Sequence, residues 1–184
     1  GFRKYRSSKD AQAQLFICLS KRNSAQWILE GDIKGCFDNI NHEWLLNNVP
    51  MDKSVLKQFL KAGFVYNRHL NPTKRGTAQG GIISPTLANI TLDGMENAIA
   101  TKYHSNKKGI INKTRYNLHK VNFVRYADDF IFTADSEEVA KDIADIIRLF
   151  LKDRGLELSR EKTLITHIDD GFDFLGWNFR IKIL

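Results

Sequence analysis

The feature that most constrains the fold is a pair of apolar strand segments with a very short polar gap between them. The segments VNFVRY (121–126) and FIFTA (130–134) flank Ala127-Asp128-Asp129. β-Branched and aromatic residues favour extended chain, and two such runs joined by three residues are typical of an antiparallel hairpin. Two aspartates in the gap fit a turn by themselves, because Asp tolerates turn backbone geometry. The segment therefore predicts a tight hairpin with two carboxylates at its tip.

The segments around this hairpin predict an α+β fold. A strand over 26–32 ends at Asp32, and the Ser84-Pro85 pair is expected to open a long helix that reaches about residue 103. The order strand, helices, strand, strand, helix, strand is that of a ferredoxin-like (split βαβ) antiparallel sheet packed on helices. The other expected elements are helices over about 9–22, 42–49, 52–63 and 136–155, an irregular extended segment or hairpin over 64–77, a loop over 107–120, and strands over 163–168 and 174–183.

This topology brings distant acids together. A right-handed crossover makes the first strand parallel to the 121–126 strand, and the return strand of the hairpin lies antiparallel between them. Asp32 then lies at the same sheet edge as Asp128 and Asp129. Converging carboxylates suit hard cations such as Mg²⁺, and two such ions about 3.5–4 Å apart can catalyse an in-line phosphoryl displacement. The sequence therefore predicts a metal site for nucleotidyl transfer at this edge.

The distribution of charge favours an anionic macromolecule as partner. Residues 1–127 carry 20 Lys and Arg against 8 Asp and Glu, whereas residues 128–184 carry 8 against 13. The stretches 53–92 and 97–127 contain no acidic residue. Such stretches attract a polyanion, most commonly a nucleic acid, although a solvated basic face without a partner is the alternative.

Several other classes of protein are disfavoured. Two cysteines, Cys18 and Cys36, cannot form a disulfide framework, and they lack the spacing of zinc ligands. No run approaches the roughly 18 apolar residues of a membrane span, and the opening GFRKYRSSKD is not a signal peptide. We therefore expect a soluble, cytoplasmic protein with no membrane partner.

Six motifs follow one another along the chain. They are GFRKYRSS (1–8), GDIKGCFDNINHEWLL (31–46), RGTAQGGIISPTLANI (75–90), YADD (126–129), GLELSREKT (155–163) and FDFLGW (172–177). In this order they resemble the motifs of the reverse transcriptase family, and most closely those of proteins encoded by group II introns. The resemblance implies a polymerase palm with part of the fingers. One departure is Ala78, which stands where the family usually has proline.

The resemblance implies catalytic roles for residues at the motif positions. Asp32 and Asp128 would be the principal metal ligands, with Asp129 completing the carboxylate cluster and the carbonyl of Ile33 assisting. The implied cofactor is a pair of Mg²⁺ ions, for which Mn²⁺ can substitute. Lys162 matches the family lysine proposed as proton donor to the leaving pyrophosphate, and a solvated lysine after a turn is the alternative.

Other motif positions concern the nucleotide and the primer. By resemblance, Phe37 would lie against the sugar and clash with a 2′-hydroxyl, and Gln79 and Gly80 would lie against the incoming nucleotide and the template. Hydrophobic core is the alternative account of Phe37 and of the apolar primer-grip residues. The primer grip would comprise Phe174, Leu175 and Gly176.

The resemblance also implies how the chain is divided. Residues 1–184 would form a single fragment of a reverse transcriptase domain. About 1–24 and 50–78 would belong to the fingers, and about 25–49 and 79–184 to the palm and primer grip. The upstream fingers strands and the thumb of the family are absent from this stretch, so we expect weak or no processive synthesis by it alone.

The expected function is RNA-directed DNA polymerisation, with an RNA template, a DNA primer and dNTPs as partners. A group II intron protein would also act as a maturase, which binds its intron RNA and assists splicing. The alternatives are an RNA-binding maturase module without polymerase activity of its own, and a reverse transcriptase of retron, phage-defence or CRISPR-associated type; a homodimer is left open. The residues expected to bind RNA are Lys74, Arg75, Lys107, Lys108, Lys113 and Arg115.

Overall fold

The computed structural model describes residues 4–66, 69–71, 73–78 and 80–180. It contains both helices and short strands. In chain order they are α1 (Ser8–Leu19), β1 (Trp27–Gly31), α2 (Cys36–Asn39), α3 (His42–Asn48), α4 (Lys53–Lys61), β2 (Phe64–Tyr66), β3 (His69–Asn71), α5 (Ser84–Leu92), α6 (Met95–Tyr103), β4 (Phe123–Tyr126), β5 (Asp129–Ala134), α7 (Glu137–Lys152), β6 (Leu164–His167), β7 (Phe172–Phe174) and β8 (Trp177–Phe179).

The central sheet has the strand order β4-β5-β1-β6, and each neighbouring pair is antiparallel. Strands β1 and β4 therefore run in the same direction, with β5 between them. Gly31 at the end of β1 lies opposite Phe130, and Tyr126 lies opposite Asp129 across the hairpin. The split βαβ arrangement expected from the sequence is confirmed, and the end of β1 meets the β4–β5 turn.

Both faces of this sheet are covered, which explains why β5 is apolar along nearly its whole length. On one face, Leu29 and Phe132 join a large core with buried residues of α5, α6 and α7. On the other face, Ile28 and Ile131 pack with α1 and with the β7–β8 hairpin in a second, smaller cluster. Successive strand residues point to opposite faces, so β1 and β5 contribute to both cores.

Helix α7 shows how the sequence builds one of these layers. Its N-cap residue Ser136 accepts a hydrogen bond from the backbone of Val139 through its side-chain oxygen. Glu137 and Glu138 occupy the first turn, where the helix dipole favours negative charge. Its buried side chains recur at the spacing of one helical face, and they are Ala140, Ile143, Ala144, Ile147 and Leu151.

The prediction of one long helix from Ser84 to about residue 103 is wrong, because the structure has two helices there, α5 and α6. Asp93 has an extended backbone, with φ −66° and ψ 145°, and the next residue, Gly94, has φ 85°. A left-handed backbone carries little penalty for glycine, so the Asp93-Gly94 pair ends one helix and begins the next in a new direction. The two helices contribute separately to the core that covers the sheet.

The prediction of a single terminal strand over 174–183 is also wrong. The structure has a hairpin in which Phe172 pairs with Phe179 and Phe174 with Trp177. Leu175 and Gly176 form its turn with φ values of 53° and 81°. Two consecutive residues with positive φ are typical of the tight turns whose twist matches that of the flanking strands.

Two further expectations concern connecting segments. The extended segment or hairpin expected over 64–77 contains the antiparallel pair β2 and β3. The loop expected over 107–120 is present, and His104 contacts the Val121 carbonyl through Nε2 at 2.9 Å where the loop returns to the sheet. No helix in the described part of the chain is long and apolar enough to cross a membrane.

Candidate active site

Three aspartates lie where β1 and the β4–β5 hairpin meet. Asp32 follows the last residue of β1, whereas Asp128 precedes β5 and Asp129 begins it. Gly31 is required at the end of β1, because a Cβ atom there would overlap the ring of Phe130 on the neighbouring strand. This close approach brings the end of β1 against the hairpin turn. Acids that are nearly a hundred residues apart in the sequence thus share one edge of the sheet.

The turn that carries two of these aspartates has a strained backbone. Ala127 has φ 59°, a left-handed conformation that costs an L-residue roughly 1–2 kcal/mol. Arg125 donates a hydrogen bond from a guanidinium nitrogen to the Ala127 carbonyl at 2.8 Å. The same nitrogen donates to Oδ1 of Asn89 on α5 at 3.3 Å. Arg125 therefore connects the turn to a helix. The sequence analysis missed this role, and the only sequence feature that pointed to it was a charged residue within an apolar strand.

The electrostatic surroundings of the turn are strongly negative. Partial desolvation and the charges of Asp128 and Asp32 raise the pKa of the Asp129 carboxyl, and the ammonium of Lys162 opposes this effect. Burial raises the pKa of the Cys36 thiol to about 12, with a further contribution from Asp128 and Asp32. Cys36 is therefore an uncharged thiol beneath the carboxylates, and the cluster has the repulsion that a bound cation would relieve.

The donor set fits a hard divalent cation. Carboxylate oxygens suit Mg²⁺ and Mn²⁺, and Mg²⁺ in particular is commonly held by one or two carboxylates while waters and substrate phosphates complete its coordination. Among the described residues, no group of three or more His, Cys, Asp or Glu side chains is arranged to hold a metal ion by itself.

Lys162 and Phe37 lie in the same cleft as two of the aspartates. The cleft has a volume of about 740 Å³, and its lining includes Asp32, Asp128, Phe37 and Lys162. The Lys162 ammonium lies 3.7 Å from Oδ1 of Asp32, and its side chain is 71% exposed. Phe37 is half-buried. Part of its side chain packs against the large core and part lines the cleft, so a role in the core and a role at the nucleotide both stay open.

The loop that carries Lys162 is fixed to the end of β1 by backbone contacts. Ser159 donates its N–H to the Asp32 carbonyl at 2.8 Å, and Lys34 donates to the Glu157 carbonyl at 3.0 Å. Ile33 and Leu158 form an isolated antiparallel bridge between the same segments. The Ile33 side chain is buried. These bonds extend the sheet beyond the regular strands and set Lys162 beside Asp32.

The expected primer-grip residues lie on the other side of the aspartates. Phe174 and Leu175 line a cleft of about 200 Å³ together with Asp32, Asp129 and Lys162. Phe174 is buried, Leu175 is half-buried, and Gly176 is exposed at the tip of the hairpin. The hairpin therefore stands directly beside the carboxylate edge.

The same cleft contains two acids that the sequence analysis missed, Glu30 and Asp173. Burial, and next the charge of Asp173, raise the pKa of Glu30 to about 7, while a hydrogen bond from Thr166 opposes the shift. The only sequence signal for Glu30 was an acid inside an apolar strand.

The glutamine-containing motif is attached to α2. Gly76 donates its N–H to the Ile40 carbonyl at 2.9 Å, and Thr77 donates to the Phe37 carbonyl at 2.6 Å. Gln79 lies outside the described residues. Gly80 is exposed with φ 81°, and among the described residues, apart from its own chain neighbours, no atom lies within 4 Å of the position that a Cβ would take.

The residues expected to bind RNA fall on two loops. Lys74 and Arg75 are exposed in the segment that precedes the glutamine motif, and Lys107 and Lys108 are exposed between α6 and β4. The other two are engaged locally. The Lys113 ammonium lies 2.7 Å from Oε1 of Glu96, and the Arg115 guanidinium lies 5.6 Å from the centre of the Tyr116 ring.

Comparison with known proteins agrees with this geometry. A family model described as reverse transcriptase (RNA-dependent DNA polymerase) matches residues 1–179. The chain is 32% identical to the group II intron-encoded protein LtrA of Lactococcus lactis subsp. cremoris, covering 99% of this chain and 39% of that protein. It is 31% identical to protein YkfC of Escherichia coli, covering 96% of this chain and 53% of that protein. The chain thus spans only part of the length of these relatives.

Solved structures show the same fold at lower sequence identity. The apo telomerase of Candida tropicalis superimposes with a TM-score of 0.66 over 95% of this chain and 35% of that chain, at 16% identity. At this identity the likeness shows the fold alone. It confirms the α+β architecture of a polymerase palm with adjoining fingers elements.

Proposed function

Since the chain belongs to the reverse transcriptase family, we propose that it forms the catalytic core of a group II intron-encoded protein that copies RNA into DNA. The observation that carries this proposal is the meeting of Asp32 with Asp128 and Asp129 at one edge of the sheet, in clefts that also contain Lys162. The reaction is nucleotidyl transfer from a dNTP to the 3′-hydroxyl of a primer.

Asp32 and Asp128 would hold two Mg²⁺ ions, with Asp129 and the Ile33 carbonyl assisting and Mn²⁺ as a substitute. Such ions, when bound, promote ionisation of the primer hydroxyl and stabilise the charge on the leaving oxygen. Partial desolvation and the charges of Asp128 and Asp32 raise the pKa of the Asp129 carboxyl, and a bound cation would oppose this shift. Arg125 holds the turn in place through the Ala127 carbonyl.

Lys162 would donate the proton that leaves with pyrophosphate. Its ammonium lies beside Asp32 and is open to solvent, so the group can regain a proton after each addition. General acid catalysis of this kind typically contributes 10²- to 10⁴-fold.

Three further residues would select the nucleotide. The Phe37 ring, at the wall of the cleft, would exclude a 2′-hydroxyl and favour deoxynucleotides. Gln79 and Gly80 would lie against the incoming nucleotide and the template, and the open space around Gly80 supports close approach of a ligand to its backbone. On the opposite side, Phe174, Leu175 and Gly176 would position the primer terminus, which their place beside Asp129 supports.

A second function, binding of intron RNA in splicing, is favoured by a different observation. The two long stretches without acidic residues, 53–92 and 97–127, present exposed lysines away from the carboxylates. Relatives of the chain include LtrA and a maturase-like protein of Euglena gracilis. Contacts of this kind bind phosphates and weaken as salt increases.

The test replaces Asp32 or Asp128 by asparagine, which keeps the shape of the side chain and removes its charge. We expect addition of dTMP to an oligo-dT primer on poly-rA in Mg²⁺ to fall by more than about 100-fold, a typical loss when electrostatic stabilisation of a transition state is removed. RNA binding should stay unchanged, because the basic segments are intact. The matched control is Asp169→Asn, an exposed acid in the turn after β6, which should retain synthesis. Full synthesis by either active-site variant would contradict the proposal.

A further inference from the structure

A second cleft adjoins the candidate active site, and its wall is strongly basic. It has a volume of about 690 Å³, within the usual range for small-molecule sites. Five cations line it, from four separate parts of the chain. They are Lys34 after β1, Arg75 in the segment before α5, Arg148 and Lys152 on α7, and Arg160 in the loop before β6.

The basic cleft is continuous with the catalytic one. Lys34, Glu157 and Arg160 line both, so they form the boundary between the two. On the far side of this boundary lie Asp32 and Asp128. An anion that leaves the carboxylates would therefore meet the basic wall next.

The charge of the cleft is largely uncompensated. Glu157 is the one acid among its described lining residues, and its Oε1 lies 3.3 Å from the Lys34 ammonium. Arg148 forms an ion pair with Asp145 on the same helix, and both side chains are well exposed. For Arg75, Lys152 and Arg160, the described part of the chain offers no ion-pair partner within 4.0 Å. Exposed cations gathered in a concave surface raise the local concentration of anions.

The walls of the cleft are held by backbone hydrogen bonds rather than by the cations themselves. The segment of Arg75 is tied to α2 through the N–H of Gly76, and the loop before Arg160 is tied to β1 through Glu157 and Ser159. At the end of α7, Asn41 donates its N–H to the Arg154 carbonyl at 2.9 Å. The cations are thus presented by a fixed backbone, which lowers the ordering cost of binding a ligand.

The composition of the wall favours a phosphate ligand over a nucleic acid. Proteins that bind single strands combine cations with aromatic side chains on which bases stack. None of the described residues that line this cleft is aromatic. A ligand made only of phosphate groups needs cations and hydrogen-bond donors, and the wall supplies both.

We propose that this cleft is a binding site for inorganic pyrophosphate, through which the product leaves the active site. The inference rests on the proposed function. Nucleotidyl transfer forms a bond between the primer 3′-oxygen and the α-phosphorus and breaks the bond between that phosphorus and the oxygen bridging to the β-phosphate. Pyrophosphate therefore appears at the carboxylates, and the neighbouring Arg75, Arg148, Lys152 and Arg160 attract it away from them.

The test measures binding of inorganic pyrophosphate to the chain by ³¹P NMR titration, in EDTA and at low ionic strength. Without a divalent cation the aspartates repel the ligand, so binding at the metal site is suppressed, and low salt limits screening of the basic wall. The variant is Arg148→Gln with Lys152→Gln, an i,i+4 pair of exposed cations on α7. We expect its dissociation constant to rise roughly fivefold, the effect of two exposed charge contacts and equivalent to about 1 kcal/mol.

The matched control is Lys21→Gln with Arg22→Gln, an exposed lysine and arginine just after α1 that remove the same net charge. It should change the dissociation constant by less than about twofold, because charges outside the cleft lie farther from the ligand and interact with it more weakly. Equal weakening by both pairs would mean that binding follows net charge, and no weakening by the α7 pair would also overturn the proposal. A third result would also overturn it, namely that the α7 pair of substitutions weakens the binding of a short single-stranded RNA more than the binding of pyrophosphate.

This experiment is independent of the proposed polymerase activity. The Asp32→Asn variant should bind pyrophosphate in EDTA at least as tightly as the unmodified chain, because it removes a nearby negative charge. If synthesis survives that substitution while pyrophosphate binding still depends on the α7 pair, the proposed function fails alone. If synthesis is lost but the α7 pair has no effect, the product site fails alone.

Discussion

Two hairpin turns stand beside the carboxylates, and each holds a strained residue in a different way. Ala127 in the β4–β5 turn has φ 59°, and Leu175 in the β7–β8 turn has φ 53°. The Ala127 carbonyl accepts a hydrogen bond from Arg125, whereas the Leu175 side chain packs against the smaller hydrophobic cluster. Tyr126, the residue before Ala127, packs against the same cluster, so the two turns share one apolar support.

The difference indicates which part of each turn is held in place. A hydrogen bond is directional and sets the position of a backbone atom, whereas an apolar contact fixes a surface without fixing an angle. The turn that carries two of the proposed metal ligands uses the directional contact, and the turn proposed to face the primer uses the apolar one. Strained backbone persists only where the surroundings over-determine it, so each support can be removed separately to test this difference.

Among substitutions that remove the supports of the two turns, the largest effect is expected from Arg125→Ala. The substitution frees the Ala127 carbonyl and detaches the turn from Asn89, so Asp128 and Asp129 lose their fixed position. Displacement of catalytic groups by about 1 Å can lower a rate by about 100-fold, and we expect a loss of that order in the rate of single-nucleotide addition, with little change in KM.

The control for Arg125 is Arg22→Ala, which removes an exposed arginine after α1. It should retain the rate of addition. A positioning role also predicts that Arg125→Lys restores part of the rate, since an ammonium can still donate to the carbonyl. Equal losses for the alanine and lysine variants, or an unchanged rate for both, would contradict the role assigned to the hydrogen bond.

Sequence patterns are sufficient to predict the strands of the sheet and the convergence of the carboxylates. The apolar runs of β4 and β5, together with the handedness of crossovers, place Asp32 beside Asp128 without knowledge of any contact. Individual side-chain contacts cannot be predicted from sequence patterns in this way. The role of Arg125 depends on its hydrogen bond to the carbonyl of Ala127, two residues further along the chain. The pKa of Glu30 is raised because the fold buries its carboxyl and brings the charge of Asp173, on a distant hairpin, close to it.

The errors in the expected elements have local causes. Residues 84–103 keep an apolar helical spacing throughout, so only the positive φ of Gly94 reveals that two helices are present. Over 174–183, the tight turn at Leu175-Gly176 was hidden because leucine is rare with a positive φ. The basic cleft was equally hidden, since its cations come from segments that meet only in the folded chain.

A smaller effect is expected from substitutions of Leu175. Leu175→Ala removes the packing contact and keeps the strained backbone, so the free energy of unfolding should fall by about 1–2 kcal/mol. Leu175→Gly loses the same contact but releases the strain, so it should be more stable than the alanine variant by up to about 1 kcal/mol. Urea denaturation of the two variants measures this difference. An alanine variant more stable than the glycine variant, as at an ordinary strand position, would show that the turn is not strained.

The smallest effect is expected from Ala127→Gly. Glycine relieves the positive φ, but it also gives the unfolded chain more conformational freedom, so these two contributions largely offset each other. We expect the free energy of unfolding to change by less than about 1 kcal/mol, with relief of strain as the favourable part. The hydrogen bond from Arg125 reaches the carbonyl of residue 127 and does not need its side chain, so the rate of nucleotide addition should stay within about threefold of the original. Urea denaturation and single-nucleotide addition, measured on the same preparation, separate the two quantities. A large loss of rate with unchanged stability would mean that the methyl group of Ala127, and not the Arg125 hydrogen bond, fixes the carboxylates.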